Sequence, residues 1–284
     1  MTQKARRQVD SKNVRRELLP NQSQALLKAL HLITRDGKLN ADTLRKLKQV
    51  NHLVGLLTPG LDDAFEKHGN PVLVDVGSGN AYIGFILYEL FFKNRDAGEV
   101  ICIETREDLH DRATARAAQL GFTRMKFIRS AVEAAVVPGK LHVVTALHAC
   151  DTATDDALAL AISHNAEHVA VVPCCQAEVA AQLKELKTKV AAPLGALFDH
   201  PWHRREFGSH LTNVIRSLVL ESRGFSVTVT ELTGWEHSLK NELILGRRVE
   251  RDVRDPKATL EALLEQTGVK PKLLRALTAS PEIT

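Results

Sequence analysis

The sequence predicts an α/β fold: a doubly wound, mostly parallel sheet of seven strands with a helical extension in front of it. Three observations carry that prediction. Beyond Pro71 short, continuously apolar strands alternate with helical segments, the texture of a parallel sheet covered on both faces. The first of those strands runs into a glycine-rich turn that opens a helix. The last two strands, Phe225–Val229 and 241–245, follow one another with no helix between them, which reads as a hairpin ending the sheet in an antiparallel strand.

The elements follow in order. Residues 1–19 lack apolar periodicity and are expected to form a mobile basic arm. From Asn21, the positions Leu26, Leu27, Leu30, Leu32 and Ile33 predict a helix that turns at Asp36-Gly37. A second helix starts near Asn40, whose side chain can cap it. It carries Leu44, Leu47, Val50, Leu53, Val54 and Leu57 at three- and four-residue spacing, and Thr58-Pro59-Gly60 is expected to end it. Strands are predicted at Val72–Val74, Val100–Ile103, Lys126–Ile128, Leu141–Leu147 and 168–172. Helices are predicted at 83–92, 106–119, 154–163, 177–188 and 210–222. Three segments result: a basic arm and helical extension (1–70), the sheet domain (71–249) and a helical tail (250–284).

Composition narrows the function classes. The 284 residues are 44% hydrophobic and 25% charged, enough to bury a core without disulfides. No apolar run approaches the roughly 20 residues of a membrane span. The four cysteines at 102, 150, 174 and 175, with no signal-peptide pattern, read as reduced thiols, so a soluble cytoplasmic protein is expected. The net charge of +4 hides an asymmetry. Residues 1–57 hold twelve Lys/Arg against four acids, a net of +8, and the rest sums to −4. A basic leading segment on a mildly acidic body is the footprint of a protein that approaches a polyanion, most often RNA or DNA. A solvated helical face with a disordered tail is the plainer alternative.

The turn Asp75-Val76-Gly77-Ser78-Gly79-Asn80 stands at the end of the first strand. There a strand-to-helix turn offers free backbone N–H groups, and glycine lets the backbone approach a ligand closely. A dinucleotide fingerprint requires a third glycine at position 82, which is Tyr82. Glu104 ends the second strand, where an acid can accept hydrogen bonds from ribose hydroxyls. An Asp in the first loop and a Glu after the next strand suit a cofactor with an adenosine and a cationic, phosphate-free tail, a description S-adenosylmethionine fits. Asp75, Gly77, Ser78, Gly79, Asn80 and Glu104 are thus candidate cofactor ligands. Ser130, Ala131 and Val132 after the third strand are expected to line the adenine.

Two further strand ends carry unusual residues: His148-Ala149-Cys150-Asp151 and Pro173-Cys174-Cys175-Gln176. Both are expected to leave the sheet at the same edge as the glycine turn and to ring one pocket with it. Here the sequence resembles a known family. The stretches D-V-G-S-G (75–79), A-L-H-A-C-D-T-A-T-D (146–155), V-P-C-C (172–175) and H-S-L-K-N-E-L-I (237–244) resemble class I, Rossmann-like methyltransferase-like proteins. These are grouped with the methyltransferase-like domain of glutathione S-transferase C-terminal domain-containing protein. The His-x-Cys and Cys-Cys elements are also similar to those of the tRNA 2′-O-methyltransferases. The likeness covers residues 40–246 and departs at Asp151, where a glycine is expected. It implies a methyltransferase using S-adenosylmethionine, with RNA (tRNA or rRNA) as acceptor and a role for Lys240 and Asn241.

The sulfonium methyl is strongly electrophilic, so such an enzyme chiefly aligns its acceptor and excludes water. A ribose hydroxyl needs a proton removed, for which His148 or Asp151 is placed. His148 is also a candidate at the cofactor edge. Asp151 or Thr152 can alternatively cap the next helix. Cys174 and Cys175 admit three roles: nucleophile, metal ligand or pocket wall. Adjacent cysteines are poorly spaced for one tetrahedral ion, so no metal is expected, and the pocket wall is favoured. The two tryptophans, Trp202 and Trp235, lie in polar, basic segments read as loops. They suit base stacking beside Arg204, Arg205 and Lys240, or simple anchoring of those loops.

Overall fold

The computed structural model describes residues 8–9, 17–34, 36–147, 149, 151–173, 176–186, 194–232, 242–249 and 255–279. Its main sheet has seven strands: β1 (Val72–Val76), β2 (Glu99–Glu104), β3 (Met125–Arg129), β4 (Val143–Leu147), β5 (His168–Val172), β6 (Phe225–Glu231) and β7 (Glu242–Arg248). The strand order is β3-β2-β1-β4-β5-β7-β6. β1 pairs with β2, β2 with β3 and β4 with β5 in parallel, whereas β7 runs antiparallel to both β5 and β6. The chain divides into two compact units, Met1–Ser130 with Leu232–Leu239, and Ala131–Glu231 with Lys240–Thr284.

In the first unit, helix α1 (Gln24–Ala29) is capped by Ser23 and helix α2 (Ala41–Lys67) by Asn40. Asn40 and Thr43 exchange side-chain-to-backbone bonds of 2.8 and 2.9 Å, a reciprocal cap that the local sequence specifies by itself. Ahead of it, Leu39–Asn40 pairs antiparallel with Gln8–Val9, so two residues of the expected arm are in a strand. The rest of residues 1–16 lies outside the described residues.

α2 does not stop at Pro59. It runs through that residue because the buried face Leu53, Val54, Leu57, Leu61 and Ala64 continues past it. Pro59 itself is on the exposed face, where the carbonyl it leaves without an N–H faces water. α1 is fixed by Glu89, which is buried and accepts from the Ser23 N–H (2.9 Å) and hydroxyl (2.5 Å).

Helix α3 (Tyr82–Leu87) opens after the glycine turn and ends in a π turn, Tyr88–Phe92. Its rings pack edge-on or tilted with Phe65, Phe122 and Phe127. α3 lies close on the sheet because Gly84 has no Cβ; one would come within 2.9 Å of Cys102 Sγ. Helix α4 (Glu107–Leu120) joins β2 to β3.

In the second unit, helices α5 (Thr152–Ser163), α6 (Ala177–Leu186), α7 (Pro201–Ser222), α8 (Pro256–Thr267) and α9 (Lys272–Ala279) accompany four strands. α7 begins at Pro201 rather than at 210. Proline suits a first helical position because its missing N–H has no intrahelical partner there. Gly208 lets α7 press on α6: a Cβ would lie 2.8 Å from the Ala180 backbone. The C-terminal helices have a structural purpose. Lys272 Nζ meets Asp156 on α5 at 2.7 Å, its N–H donates to Glu178 on α6 at 2.9 Å, and Leu273 is fully buried.

Candidate functional site

The glycine turn is built from alternating left-handed residues. Gly77, Gly79 and Ala81 have φ of 61°, 58° and 55°, angles glycine adopts without penalty. Between them Ser78 N–H donates to Ile103 O (3.0 Å) and Ala81 N–H to Ser78 O (2.7 Å). The third bond is the informative one. Gly79 N–H donates to Glu104 Oε2 at 2.8 Å, while Glu104 Oε1 accepts from the Arg106 N–H at 2.9 Å. The parallel register of β1 and β2, with Val76 opposite Ile103, brings the glycine turn and Glu104 together. Among the described residues, nothing lies within 4 Å of where a Gly79 Cβ would stand. The turn thus presents bare backbone to open space beside a half-buried carboxylate fixed by two N–H groups.

Asp75, expected among the cofactor ligands, is buried. It is 1% exposed, opposite Cys102 in the strand register, with Oδ2 3.6 Å from the position a Gly84 Cβ would take. Burial, with the Asp75 charge beside it, pushes the Cys102 thiol well above its usual range, so that sulfur is inert core. Asn80 and Ser130 are half-buried, and Ala131 and Val132 open a 3₁₀ turn, Val132–Ala134, in the second unit.

Of the acceptor-side candidates, His148, Cys174, Cys175, Lys240 and Asn241 lie outside the described residues, as does Trp235. Asp151 is described, and its position was not foreseen. Its φ of 49° and ψ of −114° are glycine angles, at the position where the family resemblance led to a glycine. It stands before α5 but makes no side-chain cap there. Its Oδ1 instead accepts the N–H groups of Ala177 (2.9 Å) and Glu178 (3.3 Å) at the start of α6. Its carbonyl accepts from Arg216 Nη2 at 2.9 Å.

Arg216 was missed in the sequence and is the hub of this unit. It is among the largest fully buried side chains. Nε meets Asp155 Oδ1 at 2.8 Å and Nη1 meets Asn213 Oδ1 at 3.2 Å. Asn213 also accepts from Gln176 Nε2 (3.3 Å), and Gln176 Oε1 accepts from the Ser209 hydroxyl (2.6 Å). The available signal was the polar stripe Ser209, Asn213, Arg216 at helical spacing on α7, which looks like a solvated face and is instead buried at Asn213 and Arg216. Burial pushes the Asp155 carboxyl above its usual value, against the opposing pull of Arg216. Trp202 is in the first turn of α7, not in a loop. Its indole is 55% exposed, and the Arg205 guanidinium lies 4.4 Å from the ring centroid.

Residues 45–182 match a family model described as a methyltransferase domain. That match spans just under half of the chain, and the seven-stranded, mostly parallel sheet described above has the class I, Rossmann-like architecture. It is similar to glutathione S-transferase C-terminal domain-containing protein from Bos taurus, with 29% identity over 237 residues, and from Homo sapiens, with 29% over 232. Each match covers 75% of this chain and 35% of the relative. The chain therefore spans about a third of the length of these curated relatives. Among solved structures it is similar to magnesium protoporphyrin IX methyltransferase from Synechocystis PCC 6803 with bound SAH (15% identity, TM-score 0.46, 84% of this chain and 100% of that one). It is also similar to an rRNA methylase from Streptococcus thermophilus (14% identity, TM-score 0.42, 64% and 88%).

Proposed function

We propose that this chain is an S-adenosylmethionine-dependent methyltransferase acting on RNA. The observation that supports the cofactor best is the Glu104 carboxylate bonded to the N–H of Gly79, a glycine with no described residue within 4 Å of where its Cβ would stand. When bound, S-adenosylmethionine supplies an electrophilic methyl group. The chain's task is then to hold the adenosine, present the acceptor in line and exclude water. Gly77 and Gly79 allow close backbone approach, and Glu104 offers carboxylate lone pairs suited to ribose hydroxyls. Ser130, Ala131 and Val132 remain the candidates beside the adenine. If the acceptor is a ribose hydroxyl, His148 is the residue type suited to take its proton near neutral pH.

RNA as the acceptor rests on the +8 charge of residues 1–57. On α2 the Lys46 and Lys48 side chains are 53% and 59% exposed, each sharing an acid, Asp42 or Glu17. Phosphates compete well with such exposed pairs, which contribute little. Calorimetry with S-adenosylmethionine tests the first half of the proposal: absence of binding at millimolar cofactor overturns it. Filter binding of total RNA over a salt series tests the second. Affinity should fall with salt, and replacing both lysines, Lys46→Gln with Lys48→Gln, should reduce the log–log slope by about 0.9 for each phosphate they neutralise. Cofactor binding without salt-dependent RNA affinity would leave a protein or small-molecule acceptor. Deleting residues 1–57 is a poorer test, because it strips Ser23 from the buried Glu89 carboxylate and removes the buried Leu26 and Leu27.

A further inference from the structure

The combination at Asp151 calls for explanation. A residue with a Cβ adopts a glycine conformation, φ 49° and ψ −114°, and such conformations persist only where the surroundings over-determine them. Here they do so from two sides. The carboxylate Oδ1 receives the first two N–H groups of α6, orphan donors that a helix start must otherwise leave to water. The carbonyl receives Arg216 Nη2, and Arg216 is itself locked by Asp155 and Asn213. Asn213 continues to Gln176, and Gln176 to Ser209. Asp151 ends the segment after β4 and Gln176 ends the segment after β5. One hydrogen-bonded chain, anchored on α7, therefore ties the segment holding His148 to the segment holding Cys174 and Cys175.

We infer that Asp151 is a positioning residue that clamps these two segments together, and that its carboxylate is not the proton acceptor of the reaction. The inference rests on the methyltransferase reading for its functional half. Its chemistry is that of a cap. Oδ1 is held by two N–H donors, which fix the carboxylate against the start of α6. Glycine would relax the backbone but could not cap α6. An aspartate is therefore what allows the clamp at a strained position.

Three variants separate a clamp from a base. Asn keeps the accepting oxygen, Ala removes it and keeps the strain, and Gly removes both. The readouts are amide hydrogen exchange at Ala177 and Glu178, S-adenosylmethionine affinity by calorimetry, and methyl transfer from tritiated S-adenosylmethionine to total RNA across pH. We expect Asp151→Asn to keep most of the wild-type rate with an unchanged pH profile. Asp151→Ala and Asp151→Gly should keep cofactor affinity, exchange faster at both amides, and lose about tenfold to a hundredfold in kcat. If Asp151→Asn falls as far as Asp151→Ala and its acid limb disappears, the carboxylate takes the proton and the inference is wrong. Unchanged exchange at Ala177 and Glu178 in Asp151→Ala would also overturn it. A wild-type protein that binds cofactor but methylates no RNA would sink the RNA reading, and the exchange measurement would still decide the clamp.

Discussion

Replacing Arg216 by Met should be among the most damaging single changes in the second unit. The Arg216 and Asp155 side chains are 1% and 2% exposed, with Nε 2.8 Å from Oδ1. Removing one partner of a buried ion pair leaves the other charge without compensation, at a cost of about 3–5 kcal/mol. Two further acceptors, the Asp151 carbonyl and Asn213 Oδ1, lose the same donor. Against a total stability of about 5–15 kcal/mol, the loss is easily measured. Urea midpoints followed by circular dichroism near neutral pH provide the assay, with Asp155→Asn and the double variant completing a cycle. The double variant should lose at least about 2 kcal/mol less than the sum of the singles, because it leaves no buried charge alone.

The pH dependence follows from the direction of the Asp155 shift. Burial raises its carboxyl above the ordinary aspartate value of 3.8, and Arg216 opposes that rise. A raised acid costs the fold stability when it is ionised, and the cost fades as pH falls through the raised folded value toward 3.8. Without Arg216 the folded value climbs further. The penalty of Arg216→Met should therefore be largest near neutrality and smaller toward about pH 4. A loss below about 1 kcal/mol, or one that does not change over that interval, would refute the reasoning.

Gly79→Ala should weaken S-adenosylmethionine binding by about tenfold or more, since a methyl would intrude on the approach to bare backbone, while the left-handed angle costs about 1 kcal/mol of stability. Calorimetry and thermal melting separate the two effects, and normal affinity would remove Gly79 from the site. Pro59→Ala should stabilise the protein by about 2 kcal/mol by restoring a donor within α2, read as a higher urea midpoint. No gain there would mean that the helix needs its bend. Trp202→Ala should leave stability near wild type because the indole is 55% exposed. It should lower single-stranded RNA affinity about fivefold or more if bases stack on it. Unchanged affinity would assign the indole no part in binding.

Local chemistry was readable in the sequence, and distant chemistry was not. The Asn40 cap needs only Thr43, three residues away, and the glycine turn needs only its own φ angles, so both could be placed from neighbouring residues. The strand alternation was legible because β1, β2, β4 and β5 are buried on both faces and therefore read as plain apolar runs. Pro59 misled because proline marks a helix end when its surroundings are unknown. Its tolerance depends on which face of α2 it occupies, a matter of packing. His200–Phe207 read as a loop because polar and aromatic residues hid the helical period, although Pro201 was available as a start signal. Asp155 and Arg216 are 61 residues apart, and nothing local to either predicts the other.

Asp151 joins the two kinds of information. The family resemblance marked position 151 as one where glycine was expected, and the backbone there has glycine angles. A substitution that keeps the strained conformation must return something that glycine lacks. The carboxylate does so by closing the N-terminus of α6, but only while Arg216 holds the carbonyl behind it. The buried pair with Asp155 therefore has a function that an apolar pair of equal volume would lack. Hydrophobic replacement of both partners is often neutral or stabilising elsewhere. Here it would release the Asp151 carbonyl and, with it, the segment that carries His148. Stability and site geometry should thus separate in an Asp155→Leu, Arg216→Met double variant: the fold can be retained while the protection of the Ala177 and Glu178 amides is lost.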